Sequence, residues 1–308
     1  MSGRAEQDQQ REEWIKQKLI NQPQVIQAYM LSIKYNKTSS TRKAYLGYLI
    51  EYIDFINKQG IKLTEVLPMH LDLYINYIKE GNGNSIVNAK LSAVGSFYNY
   101  LLKNKYIDSN PYDSKEMLLE VEEKDSVVYL TKIEENKLKR KAVSSKVKYA
   151  NRDLCIITLG CATGLRVSAI RNIDIEDIDF DNMTIDVIEK GKKARKIFIG
   201  ENTVKVIKTW MEDREKIFGN NTGALFMSQK KNRIAVRTIE DMIHNASKGI
   251  DKHITPHKMR STFAMKVYDK SGDINLTSEL LGHKNPRNTK KYAKATEERK
   301  REAIKYVD

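Results

Sequence analysis

Cysteine is almost absent from this chain of 308 residues, which has only Cys155 and Cys161, six positions apart in an apolar stretch. They form neither a CxxC pair nor a disulfide framework, which excludes a small stapled scaffold. Long apolar runs are missing as well. Nothing approaches the ~18 consecutive apolar residues of a membrane-crossing helix, and mean hydropathy is −0.58. The segment Met1 to Glu13 is polar and charged where a secretory signal carries an apolar core. Export, membrane spanning and disulfide support are therefore set aside, and a reducing cytoplasm is the expected compartment. Internal repeats and low-complexity tracts are also lacking. What is present is an ordinary globular composition, 40% hydrophobic and 31% charged, long enough for about two domains that each bury a core.

Acid is in short supply in one region only. Residues 1–130 carry 16 basic and 16 acidic side chains, while residues 131–308 carry 38 and 24, so the whole excess of +14 belongs to the C-terminal part. A region this basic, with no amphipathic membrane anchor, either meets a polyanion, with nucleic acid first in line, or serves solubility alone.

Apolar periodicity divides the chain in the same place. Trp14–Asn36, after a polar lead, has helical spacing interrupted near Pro23. Ser39 or Ser40 is placed to cap a long helix ended by Gly60, with Tyr45, Leu46, Leu49, Tyr52, Ile53 and Ile56 at three- and four-residue steps. Pro68 suits the first turn of a helix running to about Glu80. Another is expected from about Ser85 to Lys103, with Ile86, Leu91, Val94, Phe97, Tyr98 and Leu101 as its buried stripe. These faces must cover one another, giving a helical bundle over residues 1–112. Asn110-Pro111 ends it, and the acidic stretch 113–130 reads as a linker.

Thr131-Lys132-Ile133-Glu134 matches a capping box and opens a second domain, residues 131–308. Helical spacing runs through Leu159 to Gly164. Between Ile175 and Ile199 the period changes to two, with turns at Asp181-Asn182 and Lys190-Gly191-Lys192-Lys193, which predicts a three-stranded antiparallel sheet. Helical patterns return at Glu201–Phe218, Val236–Ile250 and Pro256–Tyr268, then in short pieces. The fold class is mainly α with a small antiparallel β-sheet, α+β.

The basic domain offers a specific set of groups to a phosphodiester. Arg166 leaves a glycine turn, Thr163-Gly164-Leu165, beside a fresh helix start. His257 and Arg260 lie one helical turn apart, and Pro256 places them at a helix N-terminus, where exposed amides favour an anion. Two arginines that fork onto phosphate oxygens offset the charge of a pentacoordinate transition state. Lys190 occupies a sheet turn, His283 follows Leu280-Leu281-Gly282, and Tyr292 stands nine residues further on. Singly, each has an ordinary explanation as a solvated charge, a capping residue or a packed tyrosine. Their order gives them joint meaning.

That order resembles the tyrosine recombinase family, the phage-integrase and Xer-type site-specific recombinases, over nearly the whole chain. Its signature stretches stand here as Thr163-Gly164-Leu165-Arg166-Val167-Ser168, His257-Lys258-Met259-Arg260, Leu280-Leu281-Gly282-His283 and Lys291-Tyr292. The resemblance implies a core-site DNA-binding bundle ahead of a catalytic domain, clamping double-stranded DNA between them. It implies that Tyr292 attacks the scissile phosphate to leave a 3′-phosphotyrosyl bond and a 5′-hydroxyl, with His257 as acid/base partner. Arg166, Arg260 and His283 would hold the phosphate, and Lys190 would protonate the departing oxygen. No cofactor, ATP or metal is implied, because the ester conserves the bond energy. The partners implied are short inverted half-sites in DNA and a homotetramer, with or without a second recombinase. The ~35 residues ahead of the long front helix are too few for an arm-binding domain, which favours a simple Xer-like or small mobile-element recombinase.

Three positions depart from the family pattern. Ala169 stands where a supporting Glu or Asp is usual, and its loss either costs activity or is made good by a neighbour such as Glu189. Ala293-Lys294 follows Tyr292 without the histidine often found two residues on, and Ser261 follows Arg260 where many relatives have histidine. Two rival activities share the chemistry or the surface: a non-catalytic DNA-binding protein on the same fold, and a type IB topoisomerase-like relaxing enzyme. A two-metal nuclease, suggested by Asp174, Glu176, Asp177, Asp179, Asp181 and Asp186, fits less well, since these acids alternate with Ile175, Ile178, Phe180 and Ile185 as the polar face of the sheet. His253 and His257 have the spacing of a helical zinc pair, but Pro256 puts His253 ahead of the helix. In the front domain Lys34, Lys37, Arg42 and Lys43 form a patch without acids nearby in sequence, fit for DNA phosphates or for a solvated helix start. Thr296–Val307 is helical in pattern and would dock on a neighbouring protomer or end in solvent.

Overall fold

The computed structural model describes residues 3–121, 127–144, 148–188, 194–219, 223–283, 289–290, 292–293 and 304. Its contacts divide the chain into two compact units, residues 1–123 and 124–308.

The first unit is helical. α1 (Gly3–Leu19) and α2 (Gln24–Ser32) are separated at Pro23, which caps α2. The stretch expected as a polar lead is thus itself helix. Its attachment is polar rather than apolar, which periodicity does not register. Ser39 donates to Asp8, Arg42 pairs with Glu12, and the Lys43 ammonium lies over the Trp14 ring. α3 (Ser39–Lys58) is capped by Thr38, whose hydroxyl accepts from the Thr41 N–H; the serines expected to cap it lie inside the helix, Ser39 turned to Asp8.

α4 (Pro68–Lys79) and α5 (Asn84–Lys103) complete the core. Leu46, Leu49, Tyr52 and Ile56 of α3 pack with Leu71, Tyr74 and Ile78 of α4 and Leu91, Val94, Phe97 and Leu101 of α5. Ile86, expected in the buried stripe, is 48% exposed, and its neighbour Val87 is buried instead. Phe97, Val94 and Leu91 fix the inward face of α5, and counting back in steps of three and four leads to Val87. The core is rich in phenols: Tyr52 and Tyr98 share a 2.7 Å hydrogen bond, and Tyr29 lies 2.8 Å from Ser96. Burial pushes the Tyr29 hydroxyl up to about 12.

Beyond α5 the chain folds back on the bundle. The Tyr112 ring occupies the space a Cβ at Gly95 would need, 2.2 Å away. α6 (Ser114–Met117) sends Met117 into the first core, and Asn88 exchanges hydrogen bonds with the Leu119 backbone. Leu130 belongs to the second core, its N–H donating to Thr262.

The second unit opens with α7 (Lys132–Ser144), and the expected capping box is formed in both directions: the Thr131 N–H donates to Glu134 at 2.8 Å and the Glu134 N–H to Thr131 at 3.2 Å. α8 (Ala150–Thr163) is buried along most of its length and packs against α7, α10 (Glu201–Phe218) and α12 (Pro256–Ser271). Between them come α9 (Val167–Asn172), a sheet and α11 (Val236–Ala246), and α13 (Ile274–Leu281) follows α12. The sheet is antiparallel in the order β1 (Ile178–Asp179), β2 (Thr184–Ile188), β3 (Ala194–Phe198), with Ile185 opposite Ile178 on one side and Ile197 on the other. Asp179 accepts from the Asn182 N–H in the first turn. The second turn, residues 189–193, lies outside the described residues. Trp210 is buried in this core and donates its indole N–H to Leu225. Both cysteines are free and buried, which pushes the Cys161 thiol up to about 12. No helix among the described residues is long and apolar enough to cross a membrane.

Candidate active site

The site is built on three helix ends. α8 stops at Gly164, whose φ of 62° is left-handed and costs glycine little. A Cβ there would fall 2.4 Å from the Phe263 ring, and one at Gly160 would fall 2.6 Å from the Met259 methyl. Two glycines on α8 therefore let α12 approach closely. Two residues past Gly164, Arg166 caps α9: its carbonyl accepts the N–H groups of Ala169 and Ile170, and its side chain is exposed.

α12 starts with Thr255 as cap, accepting from the Lys258 N–H, and with Pro256 in its first turn. His257 is exposed at this N-terminus. Arg260, one turn deeper, is only 3% exposed and lies between the other two helix ends. One terminal nitrogen donates to the Gly164 carbonyl at 2.6 Å, and the other to the Leu281 carbonyl at 2.7 Å. Arg166 follows the first of these acceptors by two residues and His283 the second by two. A single guanidinium thus sets the Arg166 turn and the His283 turn against each other.

At the third end, α13 closes on Gly282, also left-handed at φ 65°. His283 is held through Nδ1, 2.7 Å from the Thr289 hydroxyl. Tyr292 is 1% exposed and packs with Ala264, Met265 and Leu281, its hydroxyl 3.5 Å from that of Ser261. Ser261 is the residue after Arg260, so the tyrosine sits against the same helix that carries the buried arginine.

Arg166, Arg260, His283 and Tyr292 are accordingly linked through α12, with His257 at its start. Lys190 and Glu189 lie outside the described residues, as does the tail 296–307 except Ile304. Ala169 is buried in the second core, where the family's usual carboxylate would sit. Several of the acids weighed as metal ligands have other work: Asp174 pairs with Arg233, Asp177 accepts from the Asp174 N–H and Asp179 binds Asn182. His253 is exposed, its ring 6.0 Å from that of His244. Within the first unit, Lys34, Lys37 and Lys43 lie over the rings of Tyr35, Tyr45 and Trp14, while Arg42 is buried and paired with Glu12. Glu12 is thirty residues away in sequence, so the patch that reads as free of acids is not so in space. Thr289 and Arg195 were not singled out by the sequence. For Arg195 a signal exists: it is a charge at a strand position facing the same way as the buried Ile197.

Residues 119–299 match the phage integrase family, and residues 26–105 match the phage integrase N-terminal SAM-like domain. The chain belongs to the phage integrase family. As a phage-integrase protein it is a tyrosine-type site-specific recombinase, and its relatives agree. It is 32% identical to the tyrosine recombinase XerC of Caldanaerobacter subterraneus subsp. tengcongensis, over 87% of this chain and 81% of that one. XerC of Escherichia coli is 28% identical, over 85% of this chain and 88% of its own length. Solved recombinases share the fold: a XerH recombinase bound to a palindromic difH substrate has a TM-score of 0.72 at 20% identity, covering 87% of this chain and 80% of that one. A lambda integrase fragment bound to a core site has a TM-score of 0.69 at 17% identity, covering 88% and 94%. The Arg260 bridge lies within the stretch that matches the phage integrase family.

Proposed function

We propose that this recombinase cuts and rejoins double-stranded DNA through Tyr292. The observation that carries the assignment is the Arg260 bridge, which joins the Arg166 and His283 turns on the helix that Tyr292 packs against. The Tyr292 oxygen attacks phosphorus, its proton passing to His257, and the 5′-oxygen leaves with a proton from Lys190. A phenol with an ordinary pKa near ~10 needs such a base and surrounding positive charge to act as a nucleophile at neutral pH. Arg166, Arg260 and His283 stabilise the charge that builds on the non-bridging oxygens. A 5′-hydroxyl from a second duplex reverses the step and completes exchange. The ester keeps the bond energy, so neither ATP nor metal enters the balance.

Residues 1–112 serve as the core-site DNA-binding domain and 131–308 as the catalytic domain; of the stretch 113–130 expected as the connection, Met117 and Leu119 pack with the first core and Leu130 with the second. In the first domain, Lys34, Lys37 and Lys43 contribute charge toward phosphates; Arg42, expected with them, is buried against Glu12 and is not part of this patch. The DNA partner is a site of short inverted half-sites, bound by four copies in the cytoplasm. The Xer relatives and the basic second region support this reading.

The test is a suicide duplex nicked beside the scissile phosphate, so that cleavage releases a short strand and traps the protein. A covalent protein–DNA adduct in the presence of EDTA, lost in Tyr292→Phe, is expected. Failure to form any adduct on the cognate site would sink the assignment, and relaxation of any supercoiled plasmid without site-dependent exchange would mark a topoisomerase instead.

A further inference from the structure

We propose that Thr289 is a positioning residue for His283: its hydroxyl donates to Nδ1 and keeps the imidazole in the form that carries its hydrogen on Nε2. The proposal rests on the reading of His283 as a group that holds the scissile phosphate. The backbone at His283 is fixed before its ring is. Its N–H donates to the Ser278 carbonyl at 3.0 Å, across the left-handed Gly282 that closes α13. The three carbonyls ahead of Gly282 are met by two guanidiniums. Arg195 donates to Glu279 at 3.0 Å and to Leu280 at 2.8 Å, and Arg260 donates to Leu281 at 2.7 Å. Cations suit this place, because the last carbonyls of a helix carry the negative end of its dipole.

The helix end leaves the ring free to turn about its own bonds, and Thr289 takes up that freedom. Its hydroxyl lies 2.7 Å from Nδ1, and the residue is 0% exposed. Solvent therefore offers no substitute for the contact, and a buried hydrogen bond of this kind holds its partner firmly. Tyr292 comes three residues later and is buried as well. The hydroxyl that holds the His283 ring thus belongs to the segment that carries the nucleophile. A threonine hydroxyl can give or accept a hydrogen. In a neutral imidazole the hydrogen sits on the nitrogen that is not accepting. Donation from Thr289 to Nδ1 places it on Nε2, at the other edge of the ring. There it can serve a non-bridging phosphate oxygen without the ring being charged.

Two measurements on the full chain test this, one of them without DNA. Long-range nitrogen–proton correlation spectra of histidine-labelled protein, at about pH 8 where an ordinary histidine is neutral, identify the tautomer. The His283 signals are those lost in His283→Gln. A single Nε2–H tautomer is expected in the unsubstituted chain. A mixture is expected in Thr289→Val, which keeps the shape of threonine without the hydroxyl. The Nδ1–H tautomer in the unsubstituted chain, or a His283 spectrum that the substitution leaves unchanged, would overturn the proposal. On the nicked suicide duplex Thr289→Val should form adduct about 10- to 100-fold more slowly, the scale on which a functional histidine feels the loss of its outer partner. Thr289→Ser, which restores the hydroxyl, should recover to within about threefold. In the His283→Gln background the valine should add less than about twofold, because the group it positions is gone. A residue that only supported the fold would slow both backgrounds alike, and that result also overturns the proposal. No adduct from the unsubstituted enzyme, with the spectra as expected, would bring down the recombination reading and this role with it.

Discussion

Arg260 donates to the carbonyl of Leu281 at 2.7 Å from a position that is almost wholly buried, while its other terminal nitrogen holds the carbonyl of Gly164. The contact makes the arginine proposed to hold the phosphate a structural joint. Removing it takes the donor from two buried backbone carbonyls, each at a cost of roughly 1–3 kcal/mol. Arg260→Ala should therefore lose both adduct formation and about 2–4 kcal/mol of stability in urea unfolding of the full chain. Arg260→Lys, with a single ammonium, keeps one carbonyl at best and should fall between the two. Unchanged stability in the alanine variant would contradict the joint.

Gly164 is required twice, for its left-handed backbone and for the space that the Phe263 ring fills. Gly164→Ala should destabilise by about 2–4 kcal/mol, the sum of backbone strain and overpacking. Phe263→Ala in the same chain removes the clash but not the strain. A double-mutant cycle should then show the two substitutions together costing less than their separate effects added, and strict additivity would count against the contact.

Much of this arrangement can be read in the sequence. The glycine turn before Arg166, the His257-x-x-Arg260 step and the Gly282-His283 stop are local patterns, and the structure forms each where its spacing puts it. The three-stranded sheet and the capping box at Thr131 are likewise local. What periodicity misses depends on partners far along the chain. The part of α1 ahead of Trp14 is helix although little of it is apolar; there Asp8 and Glu12 meet Ser39 and Arg42 some thirty residues later, while Ile15 joins the core. Arg195 looks like any basic residue in a basic hairpin until the end of α13 arrives 84 residues on.

Glu135 gives a pH-dependent contribution of known sign. Burial alone would raise its carboxyl, but hydrogen bonds from Lys139 and Lys266 outweigh burial and hold it below the usual carboxylate range. With the folded pKa depressed, its stabilisation is full above the unfolded value of about 4.3 and is lost as pH falls through the folded one. Glu135→Gln should lower stability by about 1–2 kcal/mol at pH 7. The gap to the unsubstituted protein should close on acidification below about pH 4. A gap independent of pH would place the effect in packing rather than charge.

Tyr292 should separate activity from folding. Tyr292→Phe keeps the ring packed against Ala264, Met265 and Leu281, so it should still melt cooperatively while abolishing the adduct. Tyr52→Phe offers the contrast: it strips a 2.7 Å bond from the buried Tyr98 hydroxyl and should cost about 1–2 kcal/mol with the chemistry intact. Thermal melts of both variants beside the suicide-substrate assay make the comparison.

The two tryptophans of the chain fall one to each unit, Trp14 under the Lys43 ammonium on α1 and Trp210 sealed in the second core. Each unit thus carries its own intrinsic fluorophore. Emission from Trp14→Phe reports the second unit alone, and emission from Trp210→Phe the first, so one unlabelled chain can reveal whether its two halves melt together or in turn.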